Sequence, residues 1–97
     1  MNKLTIVGDM YINADKLEFV KAELMKLVAP SRKDKGCIQY DLHQDNVKPE
    51  HFLFFEIWES REDWVQHMEA PHVKAGLEAI DGMVETASTH EMTYINV

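Results

Sequence analysis

An α+β domain of order β-α-β-β-α-β is predicted by three features of this 97-residue sequence. Two stretches of period-two alternation enclose a helical stripe, a third strand is apolar on both faces, and a second helical region precedes a last alternating segment. This is the split βαβ, or ferredoxin-like, order, with an antiparallel sheet covered by helices on one face.

Leu4 to Ile12 alternates, with Leu4, Ile6, Met10 and Ile12 on one side and Thr5, Val7, Asp9 and Tyr11 on the other. Asp15 and Glu18 stand at capping-box spacing, and Leu17, Val20, Leu24, Leu27 and Val28 form one helical stripe up to a break at Pro30. Gly36 closes that region. Cys37 to His43 is a second strand with Ile38, Tyr40 and Leu42 on its apolar side, and "QDNVKPE" is a polar loop before the third strand, "HFLFFEIW". Ser60 and Asp63 open the second helical region, which breaks near Pro71 and resumes through Val73, Leu77 and Ile80 until Gly82; Thr86 to Val97 is the final strand.

The third strand sends Phe52, Phe54 and Trp58 one way and Leu53, Phe55 and Ile57 the other. Two apolar faces require two covers, and the helices supply one. The economical second cover is the sheet of another copy, giving a homodimer. The alternative is the C-terminal tail folded back over the sheet.

Length and composition fit one domain over residues 1–97, with 45% hydrophobic and 28% charged residues distributed throughout. A net charge of -7 repels phosphate backbones, and the one basic run, "PSRKDKG", is broken by Asp34 and reads as a solvated turn, so no nucleic-acid partner is expected. The opening segment is too weakly apolar for a signal or an anchor, so no membrane association and a cytoplasmic location are expected. Cys37 is the single cysteine, which rules out an internal disulfide.

Three residues could carry chemistry. Glu56 shares a face with Phe54 and Trp58, so its carboxyl is aimed into apolar surroundings and must find a partner or take up a proton. That suits a general base or a substrate anchor, and equally a pairing group at the dimer interface. His67 falls about 60° to the side of Trp64, at the edge of the stripe that Trp64 and Met68 turn toward the sheet. His72 follows Pro71 in the first turn of a restarting helix, where the dipole favours neutral imidazole. On a continuous helix a five-residue spacing sets the two histidines about 140° apart, unlike a chelating pair, and no carboxylate stands at ligand spacing, so no metal is expected. Asp41, His43 and Asp45 read as an exposed polar edge. The glycines are isolated, so no flavin-, nucleotide- or phosphate-binding turn is present.

The stretches "GCIQYDLHQD", "FLFFEIWES" and "HMEAPHVKAG" together resemble the antibiotic biosynthesis monooxygenase domain, and within it the small quinol monooxygenases. The resemblance rests on Gly36-x-x-x-Tyr40, Glu56-x-Trp58-Glu59-Ser60 and His67-x-x-x-Pro71-His72, and it spans essentially the whole chain. It implies a dimeric α+β barrel with a pocket in each subunit, and oxidation of an electron-rich aromatic by dioxygen without flavin, haem or metal. It also implies His67, Glu56 and His72 as proton-transfer candidates, with Tyr40, Phe54, Trp58 and Trp64 around the substrate. His67 is the preferred base and His72 the structural partner. Anthrone-oxidising relatives use an Asn or Arg that is missing beside Trp58. In haem-degrading relatives His67 occupies the place of a tryptophan and Leu77 that of the ligand histidine, which disfavours haem. Two alternatives are an isomerase of a phosphorylated autoinducer sugar, with Arg61 and Lys74 as phosphate contacts, and a non-catalytic dimeric binding module.

Overall fold

The computed structural model describes residues 2–97. Strand β1 (Leu4–Ile12) is followed by a short 3-10 turn (Ala14–Lys16), helix α1 (Leu17–Arg32), strands β2 (Cys37–Gln44) and β3 (His51–Trp58), helices α2 (Arg61–Met68) and α3 (Pro71–Ala79), and strand β4 (Val84–Met92). The sheet runs β2-β3-β1-β4 with every neighbouring pair antiparallel. β3 therefore lies between β1 and β2, which is the split βαβ arrangement expected from the element order.

The register fixes what the helices cover. Ile6 lies opposite Glu56 and Gly8 opposite Phe54 across β1 and β3, while Tyr40 lies opposite Glu56 across β2 and β3. Phe52, Phe54, Glu56 and Trp58 are all buried, and with Ile6, Ile12, Val20, Leu24, Leu27, Tyr40 and Ile80 they meet the inner faces of the helices. Full burial of one such aliphatic or aromatic side chain stabilises by about 1.5–3 kcal/mol, so this layer is the main source of fold stability. Leu27 approaches so closely to α3 that a Cβ on Gly76 would stand 2.8 Å from its Cδ2.

Several boundaries differ from the sequence expectation. Asp15 lies in the 3-10 turn and caps nothing; α1 starts at Leu17 with Lys16 before it and no side-chain cap. Pro30 does not stop α1, because two residues from the helix end its missing N–H forfeits a single bond, and Lys33 N–H closes the last turn on the Pro30 carbonyl at 3.1 Å. A β-bulge between Cys37 and Gln39 rotates Ile38 outward, leaving it 45% exposed while Tyr40 is buried. The second helical region is two helices, and the final strand ends at Met92, with Tyr94 and Ile95 exposed beyond it.

The opposite face of the sheet carries Leu53, Phe55 and Ile57, half-buried, beside Val7 and Thr5 of β1. At one end His51 bonds Asp45 through Nδ1 at 2.9 Å and Asp9 through Nε2 at 3.1 Å, and stacks on Tyr11 at 4.2 Å. The C-terminal segment does not cover this face. β4 pairs edge-on with β1, and the residues after it are exposed.

Candidate active site

Strand alternation delivers Glu56 to the covered face, where it is 6% exposed. Its one polar partner among the described residues is two positions away on the same face: Trp58 Nε1–H donates to Oε1 at 2.9 Å. Desolvation pushes the carboxyl up from 4.5 to about 7, against the opposing pull of the indole bond. Near neutrality this is a carboxyl shared between its acid and base forms, in an apolar wall. Its partner is this intrastrand indole rather than a cation or tyrosine of the same chain.

α2 is started by Ser60, whose Oγ accepts from Asp63 N–H at 3.1 Å as the sequence spacing predicts. One turn on, the helix turns His67 inward. His67 is 3% exposed, further in than the stripe edge expected for it, while Met68 is 38% exposed. The imidazole packs with its centroid 4.6 Å from Trp58 and 5.4 Å from Tyr40. Burial lowers its pKa, with the Asp34 hydrogen bond opposing, so the ring is held neutral.

The break between α2 and α3 reunites the two histidines. Pro71 takes the first position of α3, where its missing N–H costs nothing, and the turn brings the His72 ring to 6.0 Å from that of His67. Both rings meet one atom: His67 Nδ1 lies 2.7 Å and His72 Nε2 2.9 Å from Oδ2 of Asp34. Asp34 is the residue that sequence reasoning missed. It sits in the basic run read as a solvated turn, and its one visible signal was an acid two places before Gly36, whose φ of 81° makes the sharp return into β2. Asp34, His67 and His72 have ligand-type atoms within 4.8 Å of one another. The 2.7 Å contact is a hydrogen-bond length. The trio is two imidazoles sharing a carboxylate oxygen.

Between sheet and helices lies a cavity of ≈ 230 Å³ whose walls include Gly8, Tyr40, Phe54, Glu56, Trp64 and His67. Of the expected pocket residues, Trp58 and His72 are absent from these walls: Trp58 is fully buried and braces Glu56 and His67, and His72 lies beyond Asp34. Trp64 brings a buried indole Nε1–H with no partner among the described residues. The Tyr40 phenol is pushed up in pKa by burial and by nearby Glu56, so it remains a donor. β4 contributes Ala87, Ser88 and Thr89, which the alternating pattern alone did not assign to a pocket. An apolar void of about 150 Å³ accepts benzene, so this cavity suits one or two fused rings.

Fold and site together define a class: a two-layer α+β domain, helices over one face of a sheet, with a small, partly open apolar cavity between the layers and a buried carboxyl and a neutral imidazole on its wall. The chain belongs to the antibiotic biosynthesis monooxygenase family, whose sequence model matches residues 4–79. The fold superposes on PA3566 of Pseudomonas aeruginosa with a TM-score of 0.94 at 26% identity, covering 99% of this chain and 97% of that one. It also matches a crystal structure described as an antibiotic biosynthesis monooxygenase, with a TM-score of 0.91 at 23% identity over 96% and 99% of the two chains. An uncharacterized protein of Synechocystis sp. is 32% identical over 69 residues, which span 71% of this chain and 47% of that protein. No helix among the described residues is long and apolar enough to cross a membrane.

Proposed function

We propose that this protein is a homodimeric, cofactor-free monooxygenase that oxidises a small electron-rich aromatic of quinol type with dioxygen. The observation that carries this is the placement of two proton-transfer groups, neutral His67 and Glu56 near its own midpoint, on the wall of an apolar cavity of one- or two-ring size. Triplet dioxygen reacts poorly with closed-shell molecules but accepts one electron from an aryloxide. Making that anion requires a base at the substrate hydroxyl and exclusion of water from the radical pair. His67 takes the hydroxyl proton. Electron transfer and recombination at a ring C–H carbon then form a C–O bond, giving a peroxide. Loss of that ring proton with O–O cleavage leaves a carbonyl and water. The substrate supplies all four electrons, so the balance needs no external reductant. In this scheme Tyr40, on the cavity wall, supplies a hydroxyl donor for the reduced oxygen.

The sugar-phosphate isomerase alternative is weakened by its cations. Arg61 bonds Glu91 at 2.6 Å, Lys74 bonds Glu69 at 2.9 Å, and neither reaches the cavity. The homodimer is supported by the half-buried apolar face of Leu53, Phe55 and Ile57, and is tested by light scattering at micromolar concentration, where twice 11.3 kDa is expected and a clean monomer counts against it. The activity is tested by oxygen uptake on a panel of benzene- and naphthalene-diols, using protein treated with chelator and checked for bound flavin and haem by absorption. Uptake that vanishes on chelation would sink the cofactor-free mechanism. Tight diol binding without any uptake would favour the binding module.

A further inference from the structure

His67 lines two spaces at once. One is the apolar cavity, and the other is a surface cleft of ≈ 370 Å³ bordered by Asp34, Lys35, Asp63, Gln66 and Glu69; among the described residues no other side chain borders both. Its Nδ1 edge is committed to the cleft side, at 2.7 Å from Asp34 Oδ2, so the edge left for the cavity carries Nε2, which has no hydrogen-bond partner among the described residues. Asp34 lies outside the cavity, and His72 Nε2 reaches the same Oδ2 at 2.9 Å.

We propose that Asp34 and His72 are positioning residues for His67: Asp34 fixes its proton on Nδ1 and presents the Nε2 lone pair to the cavity, and His72 pins the Asp34 carboxylate in that pose. The proposal rests on the function above only where it speaks of catalysis. A neutral imidazole carries one N–H and one lone pair, and the partner of one nitrogen decides the role of the other. An ionised carboxylate only accepts, so Nδ1 of His67 and Nε2 of His72 must both donate to Oδ2. The proton taken at Nε2 leaves an imidazolium whose Nδ1–H already faces a carboxylate. Asp34 thereby favours the charged form of the base at the moment it forms, while Tyr40 and Trp58 hold the ring plane. The same proton returns from Nε2 to the reduced oxygen, so the pair gains and loses nothing over a turnover.

The test has one arm that needs no substrate. Two-bond proton–nitrogen correlation spectra of the nitrogen-15-labelled full chain should show His67 as the Nδ1–H tautomer, and Asp34→Leu, a near-isosteric change that removes the acceptor, should convert it to a mixture or to Nε2–H. In the second arm, with 1,4-naphthalenediol as probe, Asp34→Asn should lower kcat at least about tenfold with KM unchanged, as expected when the protonation state of a general base is disturbed. His72→Ala should lower kcat severalfold, and His72→Gln, whose amide can still donate to Asp34, should restore it. An Nε2–H tautomer in the unmodified protein, an Asp34→Leu variant with unchanged tautomer, or an Asp34→Asn variant with unchanged kcat would overturn the assignment. Should the tautomer behave as expected while no diol is oxidised, the positioning pair stands and the monooxygenase reading fails.

Discussion

Replacing Glu56 by Gln removes the carboxyl's titration while keeping an oxygen for the Trp58 indole, so it isolates the consequence of burying this acid. The folded protein holds the carboxyl at about 7 against an ordinary 4.5. At about 1.4 kcal/mol per pH unit, that difference amounts to about 3 kcal/mol of folding free energy. The sign follows from proton binding. Below pH 4.5 the carboxyl is protonated in both states and stability is complete. As pH rises toward 7 the unfolded chain releases the proton first, and the folded state becomes progressively less favourable until both are ionised. Unfolding by denaturant at fixed protein concentration should therefore show Glu56→Gln gaining on the unmodified protein by about 2 kcal/mol between pH 5.5 and pH 8, with the remainder of the difference already present at pH 5.5. Parallel stability profiles would mean that the carboxyl is ionised in the folded state throughout, and would remove Glu56 as a group poised near neutrality.

His67→Gln should lower turnover by about 10² to 10⁴ in the oxygen-uptake assay, the usual cost of a lost general base. His67→Ala should in addition lower thermal stability, because it empties the space between Trp58 and Tyr40 and leaves Asp34 short of a donor. Gly8→Val should narrow the cavity with little loss of melting temperature, since a Cβ there meets only the Ser88 carbonyl at 3.9 Å; uptake on naphthalene-diols should fall more than on benzene-diols, and equal losses would place the substrate elsewhere. Gly36→Ala should cost at least about 2 kcal/mol in denaturant unfolding, because a φ of 81° is combined with the Asp63 side chain in the space a Cβ would fill, whereas Gly82→Ala, at φ 82° with open space, should cost about 1 kcal/mol.

Sequence periodicity determined the element order and the inward face of β3, because a strand's period of two sorts its side chains whatever it packs against. Glu56 was legible as an anomaly for that reason: an acid in phase with Phe54 and Trp58 has no other face to occupy. The Ser60 cap and the helix break at Pro71 were legible too, since both act within four residues. Tertiary structure decided what depends on contacts distant in sequence. The bulge that expels Ile38 is a property of the β2 and β3 pair, and the end of β4 at Met92 is set by its pairing with β1. Asp34 stands 33 residues from His67 and 38 from His72, in a run whose charge pattern reads as solvent-facing. Two histidines about 140° apart on one ideal helix became neighbours only because α2 stops and α3 starts in a new direction, and no spacing along the chain encodes that angle.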